Sequence, residues 1–236
     1  MELLSLLTYG DTGWGDELFR GLLVTLALAV STAPCAFILS FLIGWAKHSD
    51  NQLVRRAAYG YTTIFRCLPE LLTILIIYYQ LQSLINYFVH FFFPATNISL
   101  NAFAAGVVAL TLVFSALGSE VVRSAYQSVD NGQFEAAASL GLRRRLIFFK
   151  IILPQMWRHC IPAFGNLWLI LLKDTSLISV IAVSDLVRYS NMAIATTRKP
   201  FFFYTIVAII FVMLSLISGR IQMVLERRVN NFLEGS

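Results

Sequence analysis

Long apolar runs separated by short basic segments dominate this chain, and that alternation leaves few folds open to it. The runs lie near or above the ~18–20 residues needed to cross a hydrocarbon core. A helix satisfies its own backbone hydrogen bonds there, so each run reads as a spanning helix. Charge supports this, because only 13% of residues are charged, about half of what a soluble domain carries. The net charge of +5 need not mean nucleic acid, since the basic residues sit between apolar runs. The expected partner is the lipid bilayer, with no nucleic acid. Cys35, Cys67 and Cys160 are odd in number and widely spaced, so neither a disulfide framework nor a zinc site is indicated. His48, His90 and His159 show no metal-binding spacing and read as interfacial side chains. No metal or cofactor is expected. Asp11, Asp16 and Glu17 near the start, without a basic segment, do not read as a cleavable signal; the first span would direct insertion.

Five spans follow. The first runs from about Gly21 to Ala46 and ends at Lys47-His48. The second, from near Tyr59 to about Phe93, is too long for one straight crossing, and Pro69 is expected to break it. Phe91 to Pro94 and Asn97-Ile98-Ser99 read as a turn, Asn97 being a fortuitous sequon. The third runs from about Asn101 to Leu117 and passes into a polar helix holding Glu120 and Arg123, expected to pair at i, i+3. A basic loop, Asp130 to Arg158, precedes a fourth span starting near Ile161, and the fifth runs from about Phe201 to Met223. The runs Phe91–Phe93 and Phe201–Phe203 fit interfacial or lipid-facing packing. With the N-terminus outside, twelve Lys and Arg fall on the inner side (Lys47, Arg55, Arg56, Arg123, Arg143, Arg144, Arg145, Lys150, Arg158, Arg220, Arg227, Arg228) and four on the outer (Arg20, Arg188, Arg198, Lys199). The positive-inside rule therefore gives N-out, C-in.

The fourth span poses a problem of depth. Counted from Ile161 at ~1.5 Å per residue, Lys173 lies about 18 Å in, near the midplane. Either the helix ends at Leu172 and an outer loop follows, or it continues through Leu177 to Val183. The apolar character of that stretch favours continuation, which places Lys173-Asp174-Thr175-Ser176 inside the membrane. Charges there cost at least ~2.5–3.5 kcal/mol each and should face one another or a polar cavity. Neighbours in sequence, Lys173 and Asp174 point about 100° apart on a helix and do not simply pair. One of them can meet a solute, or both can belong to a structural network. Glu70, just after the helix-breaking Pro69, can likewise meet a cation or pair with Arg66 one turn back.

The basic loop carries Glu135-Ala136-Ala137, then Gly141, then Ile151-x-Leu153-Pro154. Phe134 to Gly141 suits a short helix stopped by a glycine, and Leu142 to Leu153 a second one, with Arg143, Arg144, Arg145 and Lys150 available to anionic headgroups. This pattern resembles the EAA loop of bacterial ABC importer permeases at every fixed position. Glu120-Val121-Val122-Arg123, Lys173 to Leu177, Arg198-x-Pro200-Phe201 and Leu225 to Arg228 resemble the polar amino acid branch, with the likeness strongest to permeases for histidine, lysine, arginine and opines. Arg66-x-x-Pro69 departs from that branch in having Cys67 where it has glycine.

The resemblance implies one transmembrane domain, residues 1–236, with the all-α type I ABC importer permease (MetI-like) fold in the bacterial inner membrane. It implies coupling to two cytoplasmic ATP-binding subunits through residues 131–154, with Glu135, Ala136, Ala137, Gly141, Ile151, Leu153 and Pro154 as the coupling residues. It further implies a second permease subunit (a homologous chain or a second copy) and an extracytoplasmic solute-binding protein. Glu70, Lys173, Asp174 and Ser176 are then the candidate solute contacts, an acidic residue after the proline being a feature of cation-transporting members. The sequence has no GxxxxGK[ST], so ATP hydrolysis is expected in a separate subunit. An ATP-independent carrier is the rival, but it would favour an inverted repeat and more spans.

Orientation is directly testable. In a cysteine-free background, a cysteine near Ser99 should react with an impermeant maleimide in intact cells. One at position 144 should react only after permeabilisation. The reverse pattern would invert the topology.

Overall fold

The computed structural model describes residues 5–10, 13–92, 101–181 and 183–234. Helix α1 (Gly15–Ala46) starts earlier than the apolar run because Asp16 and Glu17 occupy its first turn, where carboxylates meet the positive end of the helix dipole. The Asn51 side chain accepts from the Leu53 N–H at 2.9 Å and opens α2 (Gln52–Cys67). The expected second span from Tyr59 is therefore corrected. α2 is a separate amphipathic helix with Arg55, Arg56 and Arg66 on it, and only Ala58 and Thr62 buried. It stops at Leu68, which is extended at φ −83°, ψ 140° as a residue before proline prefers. The spanning helix α3 (Glu70–Phe92) begins directly after Pro69. The turn expected from Phe91 is corrected there, since Phe91 and Phe92 still belong to α3, and the rest of it, Phe93 to Ser99, lies outside the described residues.

Asn101 caps α4 (Ala102–Gln127), which is one continuous helix through Glu120 and Arg123. It is the centre of the bundle, packed against α1, α2, α3 and α7 (Leu153–Asp174). Its buried positions are rich in small residues: Ala105, Gly106, Ala109, Ser115, Ala116, Gly118 and Ser119. Lipid tails are as apolar as leucine, so close backbone approach, more than hydrophobicity, holds such helices together. Gly118 illustrates the fit: an added Cβ would stand 2.9 Å from Ser40 Cβ and 3.0 Å from the Phe164 ring.

The fourth span continues past Lys173 to Ile181, as the apolar stretch led one to expect, but not wholly as an α-helix. α7 ends at Asp174, where the Thr175 hydroxyl donates to the Leu172 carbonyl at 2.7 Å. The chain then tightens into a 3-10 helix, Thr175–Ile181, that buries Ile178 and Ile181. A separate short helix, α8 (Leu186–Thr197), follows, with Asp185 accepting from the Arg188 N–H at 2.9 Å. α9 (Pro200–Glu234) runs well beyond the expected Met223. Its opening phenylalanines do not share one environment. Phe201 is exposed, whereas Phe203 is fully buried against Leu18, Leu186 and Ala193, so the lipid-facing expectation fails for Phe203. Five helices among the described residues are long and apolar enough to cross a membrane: Gly15–Ala46, Glu70–Phe91, Ala102–Gln127, Arg144–Ile181 and Pro200–Val229.

Candidate functional site

Three groups of polar residues stand out. The first is the loop after α4. Asp130 accepts from the Gly132 N–H at 2.7 Å and starts α5 (Asn131–Ser139). The helix closes with the Gly141 N–H bonded to the Ala138 carbonyl at 3.0 Å and the Leu142 N–H to the Ala137 carbonyl at 3.3 Å. These two bonds form a Schellman stop, which requires a left-handed residue. Gly141 supplies it at φ +75°. Space does not demand glycine, since a Cβ there would meet nothing within 4 Å. Glu135 and Ala136 are exposed while Ala137 is buried against Val122, Ala125 and Ile147. One face of α5 thus grips the bundle and the other is open.

Beyond the turn, α6 (Arg144–Ile147) leads into a π-helical stretch, Phe148–Ile152, whose last bond runs from the Leu153 N–H to the Phe148 carbonyl. The cause is Pro154, at the start of α7. Proline has no N–H and crowds the carbonyl four residues back, and a wider turn relieves both problems. Ile151, Leu153 and Pro154 therefore define the junction between loop and span. The fourth membrane helix starts there, and not at Ile161.

The second group lies at the inner ends of α1 and α4. Lys47, fully buried, donates to Glu120 Oε1 at 2.8 Å and to Ser119 Oγ at 2.9 Å. Its ammonium also stands 5.5 Å from the centre of the Tyr59 ring. The expected Glu120–Arg123 pair is present at 2.8 Å. Arg66 also turns toward Glu120, at 3.7 Å, so the alternative reading in which Arg66 neutralises Glu70 is corrected. Sequence reasoning counted Lys47 only as an inner-side charge. The signal was available in Gly44 and Ala46, small residues that let the end of α1 lie close to α4.

The third group is the pair Glu70 and Asp174. The Asp174 carboxyl, last residue of α7, faces Glu70 at the start of α3, and its Oδ2 is buried without a hydrogen-bond partner. One buried, unpartnered acceptor, Asp174 Oδ2, therefore lies beside the half-buried Glu70 carboxyl. Ser176 is half-buried nearby in sequence, while Lys173 is exposed and forms no ion pair among the described residues. The structure thus brings Glu70 and Asp174 together and leaves Lys173 outside that pair. Among the described residues no three His, Cys, Asp or Glu side chains gather as a metal site.

Comparisons with known proteins bear on the chain as a whole. A family model described as "Binding-protein-dependent transport system inner membrane component" matches residues 36–231. The chain is 35% identical over 228 residues to the octopine transport system permease protein OccQ of Rhizobium meliloti, covering 97% of this chain and 96% of the relative. It is 32% identical over 216 residues to the histidine/lysine/arginine/ornithine transport system permease protein HisQ of Escherichia coli, covering 92% and 94%. A crystal structure of an amino acid ABC transporter with histidines superposes with a TM-score of 0.81 at 30% identity, covering 91% of this chain and 95% of the other. The MetNI methionine ABC transporter shares the fold, with a TM-score of 0.70 at 18% identity, covering 90% and 95%.

The charge network gives a stability prediction. Glu120→Ala strands the buried Lys47 ammonium and should destabilise the subunit by about 3 kcal/mol, the lower end for a broken buried pair because Glu120 is partly exposed. Lys47→Met combined with Glu120→Gln should recover most of that loss, since neither charge is left alone. Thermal melting of the purified protein in detergent reads both. Equal damage in the single and double variants would mean that the pair is not a unit.

Proposed function

The chain belongs to the binding-protein-dependent transport system inner membrane components, and on that premise we propose how its residues divide the work of import. It is a permease subunit of an ABC importer in the bacterial inner membrane, and ATP hydrolysis lies in a separate subunit. As a single domain, residues 1–236, it joins a second permease subunit, either a homologous chain or another copy. Two cytoplasmic ATP-binding subunits serve the pair, one docking on residues 131–154. An extracytoplasmic binding protein delivers the solute from the outer side.

The solute class is a cationic amino acid or opine, and the paired carboxyls of Glu70 and Asp174 carry that reading. Asp174 Oδ2 has no internal partner, and leaving a buried acceptor unpaired costs ~1–3 kcal/mol. A guanidinium or ammonium group from the solute would supply the missing donor. Lys173, exposed and adjacent to Asp174 in sequence, would then receive a solute α-carboxylate, with the Ser176 hydroxyl as a further polar contact. Relatives named for octopine and for histidine, lysine, arginine and ornithine support the class.

Docking rests on the shape of α5. Its open face presents Glu135 and Ala136, while Ala137 anchors it to α4 and the π stretch. Gly141 holds the stop that aims it, and Ile151, Leu153 and Pro154 fix the joint to α7.

Coupling is checked by Glu135→Ala and Gly141→Asp. Both should insert and fold, because neither side chain is buried, yet solute-stimulated ATP hydrolysis of the reconstituted transporter should fall at least tenfold. For Gly141→Asp the cause is a Cβ at positive φ together with a charge beside the docking face. Unchanged stimulation in both would make the loop an ordinary connector.

Solute recognition is checked by Glu70→Gln and Asp174→Asn at matched membrane abundance. A charge-assisted hydrogen bond is worth ~1.5–3 kcal/mol, so affinity for arginine should fall roughly ten- to a hundredfold while neutral amino acids lose less. Equal losses for both solute classes would return the pair to a structural role. Lys173→Met should impair every solute carrying an α-carboxylate.

A further inference from the structure

An amphipathic groove opens at the inner membrane face, away from the Glu70–Asp174 pair and beside the docking helix. Its outer mouth, about 760 Å³, is lined by Arg144 and Arg145 together with Trp45, Tyr126 and Phe149. Both arginines are exposed, and among the described residues neither is held in an ion pair. The groove continues past Trp45 and Tyr126 into a mainly apolar recess of about 190 Å³, walled by Phe41, Val122 and Met156, with His48 as its polar lining residue. Trp45 and Tyr126 stack edge-on or tilted against Phe148 and His48, at centroid distances of 4.6 and 4.5 Å, which fixes the walls.

Depth identifies the occupant. Trp45 and Tyr126 close the inner ends of two spans, the level at which aromatic side chains mark the membrane–water interface. Phe41 lies four residues further into α1 than Trp45, or about 6 Å deeper at 1.5 Å per residue. A cytoplasmic protein does not reach that depth, whereas an acyl chain does. The polarity gradient also has the right sense, with two guanidinium groups at the cytoplasmic mouth and hydrocarbon toward the midplane. Basic pockets between spanning helices on the cytoplasmic side suit anionic headgroups, and arginine forks fit phosphate bidentately.

We propose that this groove binds an anionic phospholipid of the inner leaflet, its phosphate on Arg144 and Arg145 and an acyl chain in the recess at Phe41, Val122 and Met156. The lipid would touch Phe134 on α5 as well as α1 and α4, so it would brace the docking helix against the bundle. The proposal takes its inward orientation from the importer reading, but lipid binding is measured without transport.

The test uses the reconstituted transporter with Trp45 as its only tryptophan in this subunit, made by Trp14→Phe, Trp157→Phe and Trp168→Phe. Quenching is compared between brominated phosphatidylglycerol and brominated phosphatidylcholine. The parent should prefer the anionic lipid, and the preference should fall about fivefold for each of Arg144→Gln and Arg145→Gln. Native mass spectrometry of these two variants in the otherwise unaltered chain, scored for retained phosphatidylglycerol, gives a second reading that does not depend on the tryptophan replacements. Equal quenching by the two lipids, or adducts and preference unchanged in Arg144→Gln/Arg145→Gln, overturns the site. Loss of the ATP-binding subunits from the variants with lipid preference intact would assign the arginines to protein docking, and likewise overturns it.

Discussion

The close seam between α1 and α4 is the contact on which the other elements depend. Both helices run from the outer to the inner side, and they meet through small and hydroxyl residues. Ser40 donates to its own helix at the Ala36 carbonyl, 2.6 Å away, and lies against Gly118. A Cβ on Gly44 would come within 2.8 Å of Val122 Cβ, so the two backbones approach as closely as glycine permits. At that spacing Lys47 can reach Ser119 and Glu120 without unwinding either helix. The ion pair is possible only because the seam is tight, and the seam in turn is locked at its inner end by the pair. Such a bond is far stronger at the edge of a low-dielectric medium than in water.

The seam also sets where the docking helix sits. Val122 and Ala125 of α4 and Met156 of α7 form one cluster with Ala137, Ile147 and Ile152. α5 therefore rests on the seam through a single small side chain, and its remaining surface is exposed. A helix held by one alanine and aimed by one left-handed glycine can tilt with little loss of buried area. That combination suits a part that must follow a neighbour's motion while staying attached to its own subunit.

Legibility in the sequence follows from which forces are local. The apolar runs report the bilayer directly, so the number of spans and their orientation can be read from Gly21 to Arg228. Gly141 was readable as a helix stop because only a positive φ explains a glycine there. The boundaries near Pro69 and Pro154 were harder. At Pro69 the residues before the break looked apolar enough to cross, yet α2 has only 16 residues, carries Arg55, Arg56 and Arg66, and is not one of the spans. At Pro154 the proline widened the turn and did not end the helix, so α7 starts earlier than Ile161 suggested. Lys47 was missed for a different reason: its partner lies 73 positions away, and only tertiary packing brings the two together. The same holds for Asp174 and Glu70, each noticed alone but joined only by the fold.

α7 links the two ends of the molecule. Its 22 residues, from Leu153 to Asp174, amount to about 33 Å of helix at 1.5 Å per residue. One end carries the π turn that joins it to the docking helix, and the other ends at the carboxyl facing Glu70. On the proposed assignment, a displacement of α5 would reach Asp174 through α7, with Pro162 interrupting the backbone ladder on the way. Glu70 belongs to α3, which joins α2 through the extended Leu68 and does not share that movement. Separating the two carboxyls would weaken a cation held between them, and bringing them together would restore the site. On that assignment, α7 is, among the described residues, the one element that runs from the docking region to the carboxyl facing Glu70.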